Sequence, residues 1–269
     1  MSMPPIIYGT AWKKDRTEQL VRTAIRAGFR GIDTACQPKH YYEPGVGAAL
    51  AACLREGMSR AELYVQTKFT SLSGQDPRSV PYDSNAPLPE QVAQSFAVSL
   101  KNLQTTYVDA LILHSPFPKE DQTLAVWRAM ESLVDSGGVK RIGISNCYDL
   151  KVLQRLYRSS RIKPSILQNR FYAESDYDTD LREFCNSSGV TYQSFWTLTA
   201  NPHLLTDETM RLLSLKYGRT PAQVLFRYLM QVGVTPLTGT RSESHMRDDL
   251  AVVEFELTDA EIRALTTLL

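Results

Sequence analysis

Cysteine is scarce and unpatterned. Cys36, Cys53, Cys147 and Cys185 lie far apart, with no Cys-x-x-Cys pair and no Cys/His spacing suited to a metal. A disulfide framework and a zinc site are not expected; free thiols in a reducing compartment are. An excess of one charge is lacking too, with 30 Lys and Arg against 29 Asp and Glu. Without a basic tract or an Arg-rich arm, neither nucleic acid nor an anionic membrane is an expected partner. No apolar run approaches the ~20 residues that a membrane helix needs. The start, MSMPPIIYGT, carries no charged segment leading into an apolar one, as a secretory signal would. A soluble, cytoplasmic, metal-free protein is expected. Missing as well is a Gly-x-Gly-x-x-Gly turn after the first strand, where Gly9-Thr10-Ala11-Trp12 stands. Gly45-Val46-Gly47 lies ahead of a helix rather than in a strand-to-helix phosphate turn, so an open-sheet dinucleotide fold is disfavoured.

What is present is a unit of strand then helix, repeated. Strands are predicted at 5–10, 29–32, 63–67, 107–113, 141–144, 165–167, 190–194 and 234–237, with amphipathic helices between them. Asp15 and Asp121 are expected helix caps, Gly28 a helix stop, and Thr258 with Glu261 a capping box on the last helix. Eight such units in 269 residues are what a closed (β/α)8 barrel requires, so residues 1–269 are read as one α/β TIM-barrel domain. In that fold, functional groups sit at the C-terminal ends of the strands. Four strands run into chemistry there: Asp33, Lys68, His114, and Ser145-Asn146. Cys36 is the one thiol near this rim and the one with scope to react. The loop 69–89, rich in Ser, Pro, Asp, Gly and Asn, follows Lys68 directly and is expected to overhang the rim.

The motifs Gly-Phe-Arg-Gly-Ile-Asp33-Thr-Ala, Glu43-x-x-Val46-Gly47, Thr67-Lys68 and Tyr107-Val-Asp109-x-Leu-x-Leu-His114-x-Pro116 occur in that order. Gly143-Ile-Ser145-Asn146, Gln168-Asn169 and Pro221-Ala-Gln223-Val-Leu-x-Arg227 follow. Together they resemble the aldo-keto reductase superfamily, NAD(P)H-dependent reductases built on a (β/α)8 barrel. The resemblance implies a catalytic set of Asp33, Lys68, His114 and a tyrosine. Its usual tyrosine position is Pro38 here, in a longer loop, so the role falls to Tyr41, with Tyr42 and His40 as alternatives. In this scheme the Lys68 ammonium favours the phenolate, Asp33 keeps it charged, and His114 hydrogen-bonds the substrate carbonyl.

For the cofactor, the resemblance implies Ser145, Asn146 and Gln168 at the nicotinamide carboxamide and Phe195 stacked on its ring. Thr10, Thr240, Arg241, His245 and Asp249 complete that implied set. Gly239 stands where many relatives carry a lysine for the 2′-phosphate, and Arg241 is expected to replace its charge. NADPH is the expected cofactor, with NADH left open. Trp12, Tyr42, Tyr82 and Trp196 are the expected pocket walls. No N-terminal hairpin or long C-terminal pocket loop is expected, so the pocket should be wide and its substrate larger than a short aldehyde. The resulting expectation is a reductase of a small-molecule carbonyl, monomeric or weakly self-associating. The alternatives are a cofactor-binding regulatory subunit with little turnover, and a pathway enzyme coupling reduction to elimination or rearrangement.

Overall fold

Short apolar runs such as Ala110–Leu113 are buried on both faces, as strands of an all-parallel sheet must be. A computed structural model, which describes residues 3–269, arranges eight of them as one closed barrel in chain order. The strands are β1 (Ile7–Gly9), β2 (Gly31–Asp33), β3 (Tyr64–Phe69), β4 (Ala110–Leu113), β5 (Ile142–Ser145), β6 (Ile166–Arg170), β7 (Thr191–Phe195) and β8 (Val234–Thr238). Every neighbour pairs in parallel, and β1 closes on β8 through Tyr8 and Thr238. The expected (β/α)8 architecture is the one observed.

Side chains alternate along each strand, so one set faces the helices and the other the barrel axis. The outward set joins the helices in the main core, where Trp127 and Met130 are fully buried. The inward set begins as a small apolar layer of Ile7, Tyr64, Ala110, Ile112, Ile166 and Leu237. Above it the axis turns polar, with Gln66, Gln168, Gln193, Asp33 and Lys68 all buried. Asp33 pairs in register with Gln66, and Gln168 with Gln193, so this layer is fixed by strand alignment.

Local details depart from the sequence reading in places. Asp15 caps nothing: it lies inside a 3-10 turn, Lys14–Arg16, and the helix proper is Thr17–Ala27. Asp121 lies within the first turn of the helix Glu120–Asp135, two residues too late to cap it. Two helices went unforeseen, Pro202–Thr206 and Glu243–Leu250. The second buries only Met246 and Asp249, too little apolar periodicity to be visible. Gly28 does end the first helix, at φ 125°, and the Thr258–Glu261 capping box is formed. Gly47 permits a close approach of two helices: a Cβ there would stand 2.0 Å from the carbonyl oxygen of Asn102. The loop after β3 does not dangle. Gln75 Nε2 donates to the Cys36 carbonyl, and Gln37 Nε2 to that of Gly74, so it braces the segment after β2.

Candidate active site

Asp33 ends β2 with its carboxylate 3% exposed, and Lys68, on β3, is 1% exposed. A buried carboxylate is tolerated only with partners that satisfy it. Lys68 Nζ donates to both Asp33 oxygens at 2.7 Å and to the Thr34 carbonyl at 2.8 Å. Asp33 Oδ1 also accepts from Gln66 Nε2 at 2.7 Å and from Gln168 Nε2 at 3.0 Å. Gln193 closes the set, accepting from both glutamines and donating to Gln66 Oε1. Sequence reasoning missed Gln66 and Gln193. Their signal was available: each lies two residues before a rim residue, hence on the same inward face.

The longer loop after β2 resolves into a turn in which the Gln37 carbonyl accepts from the N–H groups of His40 and Tyr41. That turn brings the Tyr41 ring to 5.0 Å from Lys68 Nζ and to 6.1 Å from the His114 ring. Tyr42 turns the other way. It is 47% exposed, lies against Gly45, and is absent from the cavity wall. His40 does line the cavity, stacked on Trp12 at 4.1 Å and bonded through Nδ1 to Gln37 Oε1. Among the described residues the Tyr41 hydroxyl has no hydrogen-bond partner. Burial pushes its phenol above the usual range, and Asp33 adds to the shift. The phenol is therefore protonated near neutrality, and the three Lys68 donors are spent on Asp33 and Thr34. Against the expectation that the Lys68 ammonium favours ionisation of the phenol, burial and Asp33 push the other way.

His114, at the end of β4, bonds through Nδ1 to Thr70 Oγ1 at 2.7 Å. Burial and then the Lys68 charge push its imidazole down to about 3, so it is neutral. Asn146, with φ 51°, donates to the His114 carbonyl, and Ser145 Oγ donates to that of Gln168.

These groups border one cavity of about 1250 Å3, larger than the ~300–1,000 Å3 of an ordinary ligand pocket. Asp33, Tyr41, His114, Ser145, Asn146, Gln168, Phe195, Thr240, Arg241, His245 and Asp249 all line it, as do Trp12 and Trp196. Four predicted residues do not. Lys68 is buried behind the wall, paired with Asp33. Thr10 spends its hydroxyl on the Asp33 carbonyl. Tyr42 points outward, and Tyr82 packs beneath the loop, its hydroxyl on the Thr70 carbonyl and its ring on Phe69. Cys36 is buried, and its thiol is pushed up to about 12, which removes it as a reactive group.

At the far end, Arg241 donates to the Trp12 carbonyl and Lys13 Nζ to the Gly239 carbonyl at 2.8 Å. Lys13 was not foreseen; burial, then the neighbouring arginines, push it down to about 8. Burial pushes the carboxyl of Asp249 up to about 6. Among the described residues no group of His, Cys, Asp and Glu is placed to hold a metal, and no helix is long and apolar enough to cross a membrane.

The family model described as the aldo/keto reductase family matches residues 5–269. The chain is 29% identical over 299 residues to human aldo-keto reductase family 1 member C2, covering 98% of this chain and 87% of that protein. It is 29% identical over 269 residues to the methylglyoxal reductase DkgA of Yersinia pestis, covering 99% and 89%. With the glyoxal reductase of Bacillus subtilis it shares 28% identity over 248 residues, covering 92% and 82%. Among solved structures, an aldo/keto reductase from Brucella melitensis superposes with a TM-score of 0.84 at 28% identity, covering 99% of this chain and 95% of that one.

Proposed function

The chain belongs to the aldo/keto reductase family, and from that premise we propose that it reduces an aldehyde or ketone to an alcohol with NADPH, using Tyr41 as the proton donor. The observation that carries this reading is the convergence of Tyr41, His114 and Asp33 on one stretch of cavity wall, with Lys68 buried behind them and paired to Asp33. A phenol kept protonated by burial can give its proton to a carbonyl oxygen as negative charge develops there. With the Thr70 hydroxyl donating to Nδ1, the neutral His114 imidazole carries its proton on Nε2. That N–H and the Tyr41 O–H then serve as two donors for the developing oxyanion. Lys68 sits behind the Tyr41 ring as fixed positive charge, held in place by its three acceptors.

The cavity fits a nicotinamide dinucleotide in extent and in chemistry. Gln168 spends its amide N–H groups on Asp33 and Gln193, which leaves Oε1 as an acceptor toward the cavity. Ser145, Asn146, Gln168 and Phe195 would hold the nicotinamide end; Lys13, Thr240, Arg241 and His245 would hold the phosphates. When bound, the reduced cofactor supplies the hydride, and the protein's part is orientation and proton delivery. Trp12 and Trp196, half-exposed at the mouth of the cavity, offer apolar surface to a substrate larger than a short aldehyde. Names among the relatives, glyoxal and methylglyoxal reductases, make 1,2-dicarbonyls sensible first substrates to assay. The test is oxidation of NADPH followed at its nicotinamide absorbance with methylglyoxal and with bulkier aromatic ketones. Failure of every carbonyl to consume NADPH would refute the reading.

A further inference from the structure

Arg170 ends β6, two residues beyond Gln168 and therefore on the same inward face of the strand. It lines the cavity, yet among the described residues its guanidinium has no hydrogen-bond acceptor and no carboxylate partner. Its Nε is shielded from solvent and unpartnered. The contact that Arg170 does make by hydrogen bond is through its backbone N–H, which donates to the Tyr148 hydroxyl. The guanidinium carbon lies 4.2 Å from the Trp196 ring centroid and 5.1 Å from that of Tyr172. Two aromatic rings thus hold the cation, while its N–H groups are left to donate.

A shielded N–H without an acceptor, as at Arg170 Nε, is costly, and such a group in a native protein calls for an explanation, an absent ligand among them. Arg241 and Lys13, two other cations near this cavity, each donate to a backbone carbonyl, whereas no side-chain N–H of Arg170 does so among the described residues. A planar fork held by aromatic contacts suits bidentate recognition of a carboxylate or phosphate. We propose that Arg170 is a further anion-binding residue of this cavity, engaging either the carboxylate of an oxo-acid substrate or the diphosphate of the cofactor. The substrate arm rests on the reductase reading above; the binding measurements below do not depend on turnover.

Arg170→Met keeps an apolar chain against Trp196 and removes the charge; Arg170→Lys keeps the charge and loses the fork. For each, calorimetry would give the Kd of NADPH and, with NADP+ present, the Kd of phenylglyoxylate and of its methyl ester. Rates with the same acid and ester would follow. If the source is the substrate, Arg170→Met lowers the acid-to-ester ratio by about tenfold or more and leaves NADPH binding unchanged. If the source is the cofactor, NADPH binding weakens by a like factor and the ratio stays. In either case Arg170→Lys recovers part of the loss, which a packing role would not give. Unchanged values for both ligands would overturn the proposal. A protein that binds the acid through Arg170 and reduces nothing would leave this proposal standing and sink the reductase reading alone.

Discussion

Thr70 Oγ1 and His114 Nδ1 are 2.7 Å apart, a hydrogen bond between the residue two positions after Lys68 and the imidazole at the end of β4. If that bond sets the tautomer, Thr70→Val should lower kcat by about tenfold or more, as loss of an oriented oxyanion donor does. Thr70→Ser should restore it, and NADPH affinity should hold in both variants. Steady-state kinetics beside a cofactor titration would check this.

Tyr41 and Tyr42 are adjacent in sequence and opposite in direction. Tyr41→Phe should reduce turnover by about 10²–10⁴-fold, the usual worth of a positioned general acid. Tyr42→Phe should leave turnover close to that of the parent, because its ring lies outside the cavity. Near-normal turnover by Tyr41→Phe would move the role to His40, the other titratable residue of that loop in the wall.

Lys13 loses its charge as pH rises through about 8. Cofactor phosphates stay anionic in that range, so NADPH should bind more weakly above about pH 8 and evenly below it. Lys13→Met should flatten the profile. Arg241→Ala should weaken NADPH more than NADH, since a 2′-phosphate gains most from a bidentate partner. Calorimetric Kd values across pH 6.5–10 (roughly the span either side of an ordinary lysine shift) would show both effects.

Gly47 has no room for a side chain, with the Asn102 carbonyl where a Cβ would go. Gly47→Ala should destabilise the fold by about 1–3 kcal/mol, the usual cost of overpacking. A denaturant midpoint lowered at unchanged slope would show it. Turnover of the protein that remains folded should be intact, because Gly47 lines no part of the cavity.

Much of this was readable from the chain. The strand runs were apolar enough to show eight units, and Asp33, Lys68 and His114 each stood at a strand end. What sequence hid was direction and partnership. Nothing in the order Tyr41-Tyr42 says which ring turns inward; the Gln37 carbonyl decides it, by accepting from two successive N–H groups. Tyr82 looked like a pocket residue because its loop follows Lys68, yet its hydroxyl is drawn down to Thr70. Gln66, Gln193 and Arg170 carried no local motif. Their roles come from neighbours more than 20 residues away in sequence, such as Asp33 for Gln66 and Trp196 for Arg170. The helix Glu243–Leu250, which carries His245 and Asp249, escaped notice because its apolar stripe is only Met246 and the half-buried Leu250.

The central claim is that this cavity moves a hydride to a carbonyl carbon while Tyr41 delivers the proton. The measurement that reaches it most directly is product analysis after single-turnover reaction of methylglyoxal with NADPH deuterated at the transferring position. Deuterium on the new carbinol carbon, at a rate that collapses in Tyr41→Phe while NADPH binding persists, is the predicted result. A product without deuterium, or label transfer undiminished in Tyr41→Phe, would contradict the account.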